Sequence, residues 1–268
     1  MEIRVENVCK LWGQETLEPT LAIDSATHTF GSQKFTCLLG PSGCGKSTLL
    51  QIIGGISPLS LGRIQILDPG TGREVPLGQE SVMVWQTFNL FPWLSVIDNI
   101  AFGLKMIGVS KAERTARAQQ LIEFVGLSGF EKKLPAQLSG GMRQRVSLAR
   151  ALIKNPAVLL MDEPFGALDA QTKTVMQQEV QRLFMQTGKT IIFVTHSIEE
   201  SILLADDVVV MSARPGRIMA TVPVDLPRPR GLECVSTPAF GKLFDRVYGL
   251  IREEVEKTQV RERQGAAP

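Results

Sequence analysis

The sequence has few cysteines. There are four, Cys9, Cys37, Cys44 and Cys234, with no CxxC pair or other metal-ligand spacing among them. A disulfide framework and a thiolate zinc site are therefore not expected, and the inventory suits a reducing compartment. Long hydrophobic runs are missing as well: none approaches the roughly 18–20 residues that cross a bilayer. The N-terminal MEIRVENVCK puts charges where a signal peptide needs an apolar segment, so neither membrane insertion nor secretion is expected. Charge of one sign is also missing. The 29 basic and 27 acidic residues leave a formal charge of +2, without the basic face of a dedicated nucleic-acid binder, and no nucleic-acid partner is expected. With 24 glycines and 15 prolines in 268 residues and 44% hydrophobic content, the disordered, collagenous and low-complexity classes are excluded.

What is present is a set of short, nearly continuous apolar runs: Thr36–Leu39, Val82–Trp85, Val158–Met161, Ile191–Val194 and Val208–Met211. Uninterrupted Val, Ile and Leu imply strands buried on both faces, as in a mostly parallel sheet covered by helices, so the pattern predicts an α/β fold. Over the first thirty-odd residues Ile3, Val5, Leu21, Ile23 and Phe30 stand among polar neighbours and predict a small antiparallel β subdomain. The long stretch between the second and third runs has no strand signal and reads as an inserted helical subdomain. There Ser110 and Glu113 form a capping box ahead of Ala118, Leu121, Ile122 and Val125 at helical spacing, and Gly126 stops the helix. Met142, Val146, Ala149 and Ile153 make one stripe of a second helix. Met176, Val180, Leu183 and Phe184 face inward on a third, N-capped by Asp169. Beyond Met211 come SARPGRI, a Pro-rich stretch to Arg230, an amphipathic segment from Phe240 to Val255 that is expected to pack on the body of the domain, and a polar tail.

The segment GPSGCGKS fits G-x-x-x-x-G-K-[ST], after an apolar strand and before the helical run Thr48–Ile53, which is the context a phosphate-binding loop requires. The candidate cradle runs from Gly40 through Pro41, Ser42, Gly43, Cys44 and Gly45 to Lys46, Ser47 and Thr48. Gly40 and Gly45 let the backbone wrap an anion, successive N–H groups and the helix start supply positive potential, Lys46 reaches the outer phosphates, and Ser47 is placed to ligate Mg²⁺. In VLLMDEP a second apolar strand ends at Asp162 and Glu163. Asp162, delivered to the sheet edge beside the phosphate loop, can hold a Mg²⁺-bound water. Glu163 can orient and polarise an attacking water, a role worth on the order of 10²–10⁴ in rate.

LSGGMRQR, Leu138–Arg145, resembles the signature segment of ATP-binding cassette (ABC) ATPases, and the resemblance extends over nearly the whole chain in the family's order. It implies a P-loop NTPase fold of the ABC type, with a mostly parallel core sheet, an N-terminal antiparallel β subdomain and an α-helical subdomain inserted at residues 87–155. One ABC ATPase domain would span residues 1–230, and 231–268 would form a helical extension and tail. By the same resemblance Gln86 matches the Q-loop glutamine that senses Mg²⁺ and water, Ala167-Leu168-Asp169 the D-loop, and His196 the switch histidine. Trp12 stands where the family stacks an aromatic on adenine; ordinary core packing is the other reading of it. Lys46, Gln86, Glu163 and His196 would then be catalytic, and Ser47, Gln86 and Asp162 would hold Mg²⁺. Cassettes of this family pair head to tail, so Ser139 and Gly141 would close over ATP held by Lys46 and Ser47 of a second copy, and Gly140 and Asp169 are counted with them as nucleotide-binding. The expected active unit is a homodimer using ATP and Mg²⁺. One departure is Met142, where the family usually has glutamine; little effect is expected, because the anion contacts come from the Ser139 hydroxyl and the Gly141 backbone. His28 has no motif around it and reads as structural.

LFPWLSVIDNIAFGL, Leu90–Leu104, together with SARPGRI and VDLPRPR, resembles the cytoplasmic ATPases of importers for nitrate, sulfonate, taurine and related small anions. The resemblance implies a peripheral subunit on the cytoplasmic face of the cell membrane, partnered by transmembrane permease subunits and indirectly by a solute-binding protein. Phe91, Trp93 and Leu94 fall in the region that faces the permease in this family; core packing is their other reading. With 56 residues beyond Ser212, regulation through the large C-terminal domain of sugar-importer cassettes is not expected. A soluble, non-transport ABC ATPase acting on nucleic acid or ribosomes is the alternative function, disfavoured by a single cassette without sustained heptads.

Overall fold

Each of the five apolar runs lies on a strand, apart from Trp85 at the end of the second. The computed structural model describes residues 1–16 and 18–265, with side chains in the last helix up to residue 254 and at 256. In order these are β1 (Glu2–Trp12), β2 (Thr20–Phe30), β3 (Phe35–Leu39), α1 (Lys46–Ile53), β4 (Leu61–Leu67), β5 (Glu74–Val75) and β6 (Ser81–Val84). Helices α2 (Val96–Met106), α3 (Lys111–Phe124) and α4 (Gly140–Leu152) follow with no strand between them. The rest is β7 (Val158–Asp162), α5 (Ala170–Thr187), β8 (Thr190–Thr195), α6 (Ile198–Leu204), β9 (Asp207–Met211), β10 (Ile218–Pro223), α7 (Leu232–Val235) and α8 (Pro238–Gly265).

The main sheet has the order β10-β9-β3-β8-β7-β6, parallel throughout except for the edge strand β10. Every residue of β3, β7 and β8 is buried, because successive side chains enter different cores on the two faces. Leu159, Met161, Ile191 and Phe193 pack with Met176, Val180 and Leu183 of α5. Leu160, Ile192 and Val194 pack with Leu49, Leu50 and Ile53 of α1 and with Ile3, Val5 and Phe30 of the second sheet. Burying one such side chain stabilises the fold by about 1.5–3 kcal/mol, and this two-sided burial is why the strands read as unbroken apolar runs. The second sheet, β2-β1-β4-β5, is antiparallel. A third core of Ile100, Leu104, Ala118, Ile122, Val146 and Ala149 holds α2, α3 and α4 together.

The structure differs from the sequence expectations in a few places. β6 ends at Val84, so Trp85 lies beyond the strand. β4, β5 and β10 lacked a strand signal because they are edge-like and half exposed; Gly62, Arg63 and Gln65 interrupt β4, and β5 is two residues long. Only the serine half of the capping box forms. Ser110 Oγ accepts the Glu113 N–H at 3.3 Å, while the Glu113 carboxylate takes Arg117 at 2.5 Å, a charge-assisted bond stronger than one to a neutral N–H. His28 is a packing residue, edge-on to Phe30 at 4.6 Å, and its burial lowers its pKa.

The amphipathic segment lies in α8 with Phe240 and Val247 buried. Ahead of it, the Arg230 guanidinium donates to the carbonyls of Ile202, Ala205, Val224 and Leu226, which pins the chain to α6. Burial lowers the Arg230 pKa to about 10, with Arg228 adding to the effect. The side chain of Val255 and the end of the polar tail, residues 266–268, lie outside the described residues. Among the described residues no helix is long and apolar enough to cross a membrane.

Candidate functional site

The candidate phosphate loop leaves the end of β3 and turns directly into α1. Gly45 N-caps that helix with φ +101 and no side-chain acceptor, and a Cβ there would stand 2.9 Å from the Ala22 carbonyl. A side chain would therefore be both strained and crowded, and none occupies the helix start, where N–H groups and dipole favour an anion. Lys46 is only 5% exposed. Its Nζ donates to the carbonyls of Gly40 at 2.8 Å and Pro41 at 2.9 Å. An anionic oxygen would compete with two neutral acceptors for this ammonium, and the charge-assisted bond is the stronger one. Cys44 is buried beneath the loop, which raises its thiol pKa.

Ser47 and Asp162 meet across the loop, the hydroxyl donating to Asp162 Oδ1 at 2.7 Å. Burial pushes the Asp162 carboxyl up, the Ser47 hydrogen bond opposes it, and Glu163 beside it adds to the rise. A carboxylate disfavoured by burial and facing a hydroxyl, with the Gln86 amide on the same cleft, is a set of hard oxygen donors. Among the described residues no cluster of three or more His, Cys, Asp or Glu could hold a metal unaided. Few protein oxygens, to be completed by water and phosphate, are what Mg²⁺ uses, so the residues fit the ion.

Strand register then sets the next pair. β7 and β8 run parallel with Asp162 opposite Val194, and Glu163 N–H donates to the Val194 carbonyl at 3.0 Å. Glu163 and His196 therefore emerge at one sheet edge, with Glu163 Oε2 3.3 Å from His196 Nδ1. The Glu163 backbone has φ +42, an uncommon conformation for a non-glycine residue.

A cleft of about 450 Å³ opens on the loop, walled by Trp12, Gln86, Glu163 and Arg214 and floored by Ser42, Gly43, Gly45, Lys46, Ser47 and Thr48. Trp12 is 43% exposed and so is not a core residue. Lys10 Nζ stands 4.2 Å from its ring centroid, held by the Pro58 carbonyl at 2.7 Å, in a cation–π contact. Gly40, Pro41 and Cys44 do not line the cleft but form the back of the loop.

Ser139, Gly140, Gly141 and Asp169 are not brought to this cleft. Ser139 and Gly141 line a second one, of about 450 Å³, with Phe130, Met142, Arg145 and Thr172. Ser139 N-caps α4 by accepting the Met142 N–H at 3.3 Å, and a Cβ on Gly141 would overlap Thr172 Cγ2. Gly140 faces Leu168. Asp169 caps α5 by accepting the Thr172 N–H at 3.0 Å, which holds its carboxyl below the usual range. Met142 contributes its backbone N–H to the cap, which any residue could supply.

One cleft residue went unrecognised in the sequence. Arg214 has an exposed guanidinium with no hydrogen bond or ion pair among the described residues. Its turn is fixed by Gly216, whose N–H donates to Ala22 O at 2.9 Å and whose carbonyl accepts from Asp24 N at 3.0 Å. The signal was in SARPGRI, but nothing local in that phrase says that it folds back beside Trp12.

Residues 23–166 match the family model described as ABC transporter. The chain is 41% identical over 259 residues to an uncharacterized ABC transporter ATP-binding protein of Methanocaldococcus jannaschii, covering 96% of this chain and 94% of that protein. It is 50% identical over 207 residues to the taurine import ATP-binding protein TauB of Rhizobium johnstonii, covering 77% and 78% respectively. Among solved structures, a post-hydrolysis dimer of the ATP-binding cassette MJ0796 bound to ADP and phosphate matches with a TM-score of 0.72 at 28% identity, over 84% of this chain and 100% of that one.

Proposed function

The chain belongs to the ABC transporter family, as an ATP-binding protein of its taurine, nitrate and sulfonate subfamily, and on that premise we propose that it drives an importer for a small anion of that kind. It is an ATPase. The observation that supports the mechanism is that one chain carries two separate clefts, one on the phosphate loop with Glu163, which His196 contacts, and one at a serine-capped helix with Gly141.

In this reading the triphosphate lies on the loop from Gly40 to Thr48, and Lys46 exchanges its two loop carbonyls for outer phosphate oxygens. The adenine stacks on the face of Trp12 that Lys10 leaves free, and Arg214 adds a cation at that end of the cleft. Ser47, Asp162 and Gln86 hold Mg²⁺, which neutralises charge on the phosphate oxygens when bound. Glu163 orients a water and takes its proton as the oxygen attacks the γ-phosphorus; the bond to the bridging oxygen breaks and ADP leaves. His196 holds the Glu163 carboxylate and faces the γ-phosphate. Ser139, Gly140, Gly141 and Asp169 of a second copy close the site, so that ATP binding shuts the dimer and hydrolysis opens it.

Transport follows from a further surface. Trp93 is 73% exposed, with the Phe91 ring tilted against it at 5.7 Å and against Phe102 at 4.4 Å. A supported, exposed aromatic suits docking, so Phe91, Trp93 and Leu94 are assigned to the contact with transmembrane permease subunits, at the cytoplasmic face of the membrane. A solute-binding protein would deliver the anion from outside. The exposed tryptophan favours this reading over a soluble ABC ATPase acting on nucleic acid or ribosomes. The test is membrane retention: Trp93→Asp is expected to release the chain from permease-containing membranes while leaving ATPase activity in solution within about twofold. Retention equal to wild type contradicts the assignment.

A further inference from the structure

Glu200 is a carboxylate almost wholly out of solvent, 4% exposed, on the first turn of α6. A buried acid persists in a fold where it is paired, and the identity of its partners says what the pairing holds in place. Its two oxygens are divided between two structures. Oε1 accepts from Gln177 Nε2 at 3.1 Å and pairs with Lys173 Nζ at 3.2 Å, both on α5. Oε2 accepts from the Thr195 hydroxyl at the end of β8. The Glu200 N–H donates to Ser197 Oγ at 3.3 Å, and the Ser197 N–H in turn donates to Thr195 Oγ1 at 3.0 Å.

The residues on either side of His196 are thus both tied to Glu200, one through its carboxylate and one through its backbone. The His196 imidazole is by contrast 63% exposed, and the hydrogen bond it makes is the one to Glu163. An exposed ring keeps a defined direction only if its backbone is held, and the ties that hold this backbone come from beneath. They also reach α5, whose Thr172 packs against Gly141, so the segment carrying His196 is braced on the helix that meets the signature loop.

We propose that Glu200 is a positioning residue that sets His196 against Glu163 by clamping Thr195 and Ser197. The inference rests on the reading of His196 as a residue of the ATP site. Glu200 touches neither nucleotide nor water in this account and acts through the histidine alone.

A double-mutant cycle tests it, with kcat for ATP hydrolysis and Kd for ADP measured in wild type, Glu200→Ala, His196→Ala and the combined variant. Glu200→Ala is expected to lower kcat by about tenfold or more with ADP affinity within about twofold, and to add no more than about twofold to the loss in the His196→Ala background, because groups that act as one unit are non-additive. Losses that multiply overturn the proposal, as does an unchanged kcat in Glu200→Ala. A buried acid that merely stabilised the fold would give multiplying losses. Where His196→Ala itself leaves turnover intact, the reading of the ATP site fails and the proposal with it; where His196→Ala impairs turnover and the losses multiply, the proposal alone fails. Should Glu200→Ala not fold, Thr195→Val removes one hydroxyl of the clamp and enters the same cycle with the same expectations, and Thr195→Ser, which restores the hydroxyl, is expected to recover turnover.

Discussion

Asp162 and Ser47 lie 2.7 Å apart across the phosphate loop, a buried acid accepting from a hydroxyl at the start of α1. The acid is delivered by β7 and the hydroxyl by the helix after β3, strands that β8 separates in the sheet, so the pair closes over the strand between them. Burial raises its pKa by penalising the charged form, a penalty that a bound cation would offset.

That penalty predicts an exchange of stability for function at Asp162. Burial raises its folded pKa above the ordinary value of 3.8, so the folded state binds the extra proton. Stability therefore falls as pH rises from the ordinary carboxylate range through the raised value, and the penalty is full above it. Asp162→Asn keeps the acceptor for Ser47 and removes the charge. Without nucleotide it is expected to unfold about 2–4 °C higher than wild type near neutral pH for each 1 kcal/mol removed, a gain that shrinks toward acid, while Mg²⁺-dependent ATPase activity is lost. Thermal scans between pH 5 and 8 check this; a lower melting temperature across the whole range contradicts it.

Arg214 has no partner of its own in the described chain, so its removal should leave the fold alone. Arg214→Ala is expected to weaken both ADP and ATP by about three- to tenfold, the scale of one charge-assisted contact, with a melting temperature within about 1 °C of wild type. Arg214→Lys should recover part of the loss. Equilibrium binding at low salt measures this, and unchanged affinities for both nucleotides remove Arg214 from the site.

Gly141 is a glycine because Thr172 Cγ2 occupies the space of a Cβ. Gly141→Ala is expected to push α4 from α5 and lower ATPase activity at least about tenfold, with overpacking typically costing 1–3 kcal/mol of stability. Thr172→Ser deletes that methyl and keeps the N–H that Asp169 accepts as helix cap, so it should restore much of both. The double variant checks the pairing; no rescue means that the glycine is needed for another reason.

The legible parts of the chain were those whose cause is local or doubly constrained. β3, β7 and β8 announced themselves because both faces are buried, and the phosphate loop because its glycines, lysine and serine act within one turn. Glu163 and His196 could be matched to one edge because each follows an apolar strand. β4 and the edge strand β10 are half exposed and carried no comparable signal. Arg214 was missed because its place beside Trp12 depends on a backbone bond from Gly216 to Ala22, far apart in sequence. The motif assigns the Lys46 ammonium to outer phosphates but does not show that carbonyls of its own loop accept from it meanwhile. The partners of Glu200 likewise come from β8 and α5, and only the packed helices bring them together.

Two copies of this chain are expected to close over ATP, each supplying the half-site the other lacks. The most direct measurement is the solution mass of Glu163→Gln by light scattering, with Mg-ATP and with Mg-ADP, together with its rate of phosphate release. Release is expected to slow by about 10²–10⁴, with a dimer in ATP, a monomer in ADP, and the dimer abolished by adding Ser139→Arg. A variant that stays monomeric in saturating ATP, or a dimer indifferent to Ser139→Arg, contradicts it.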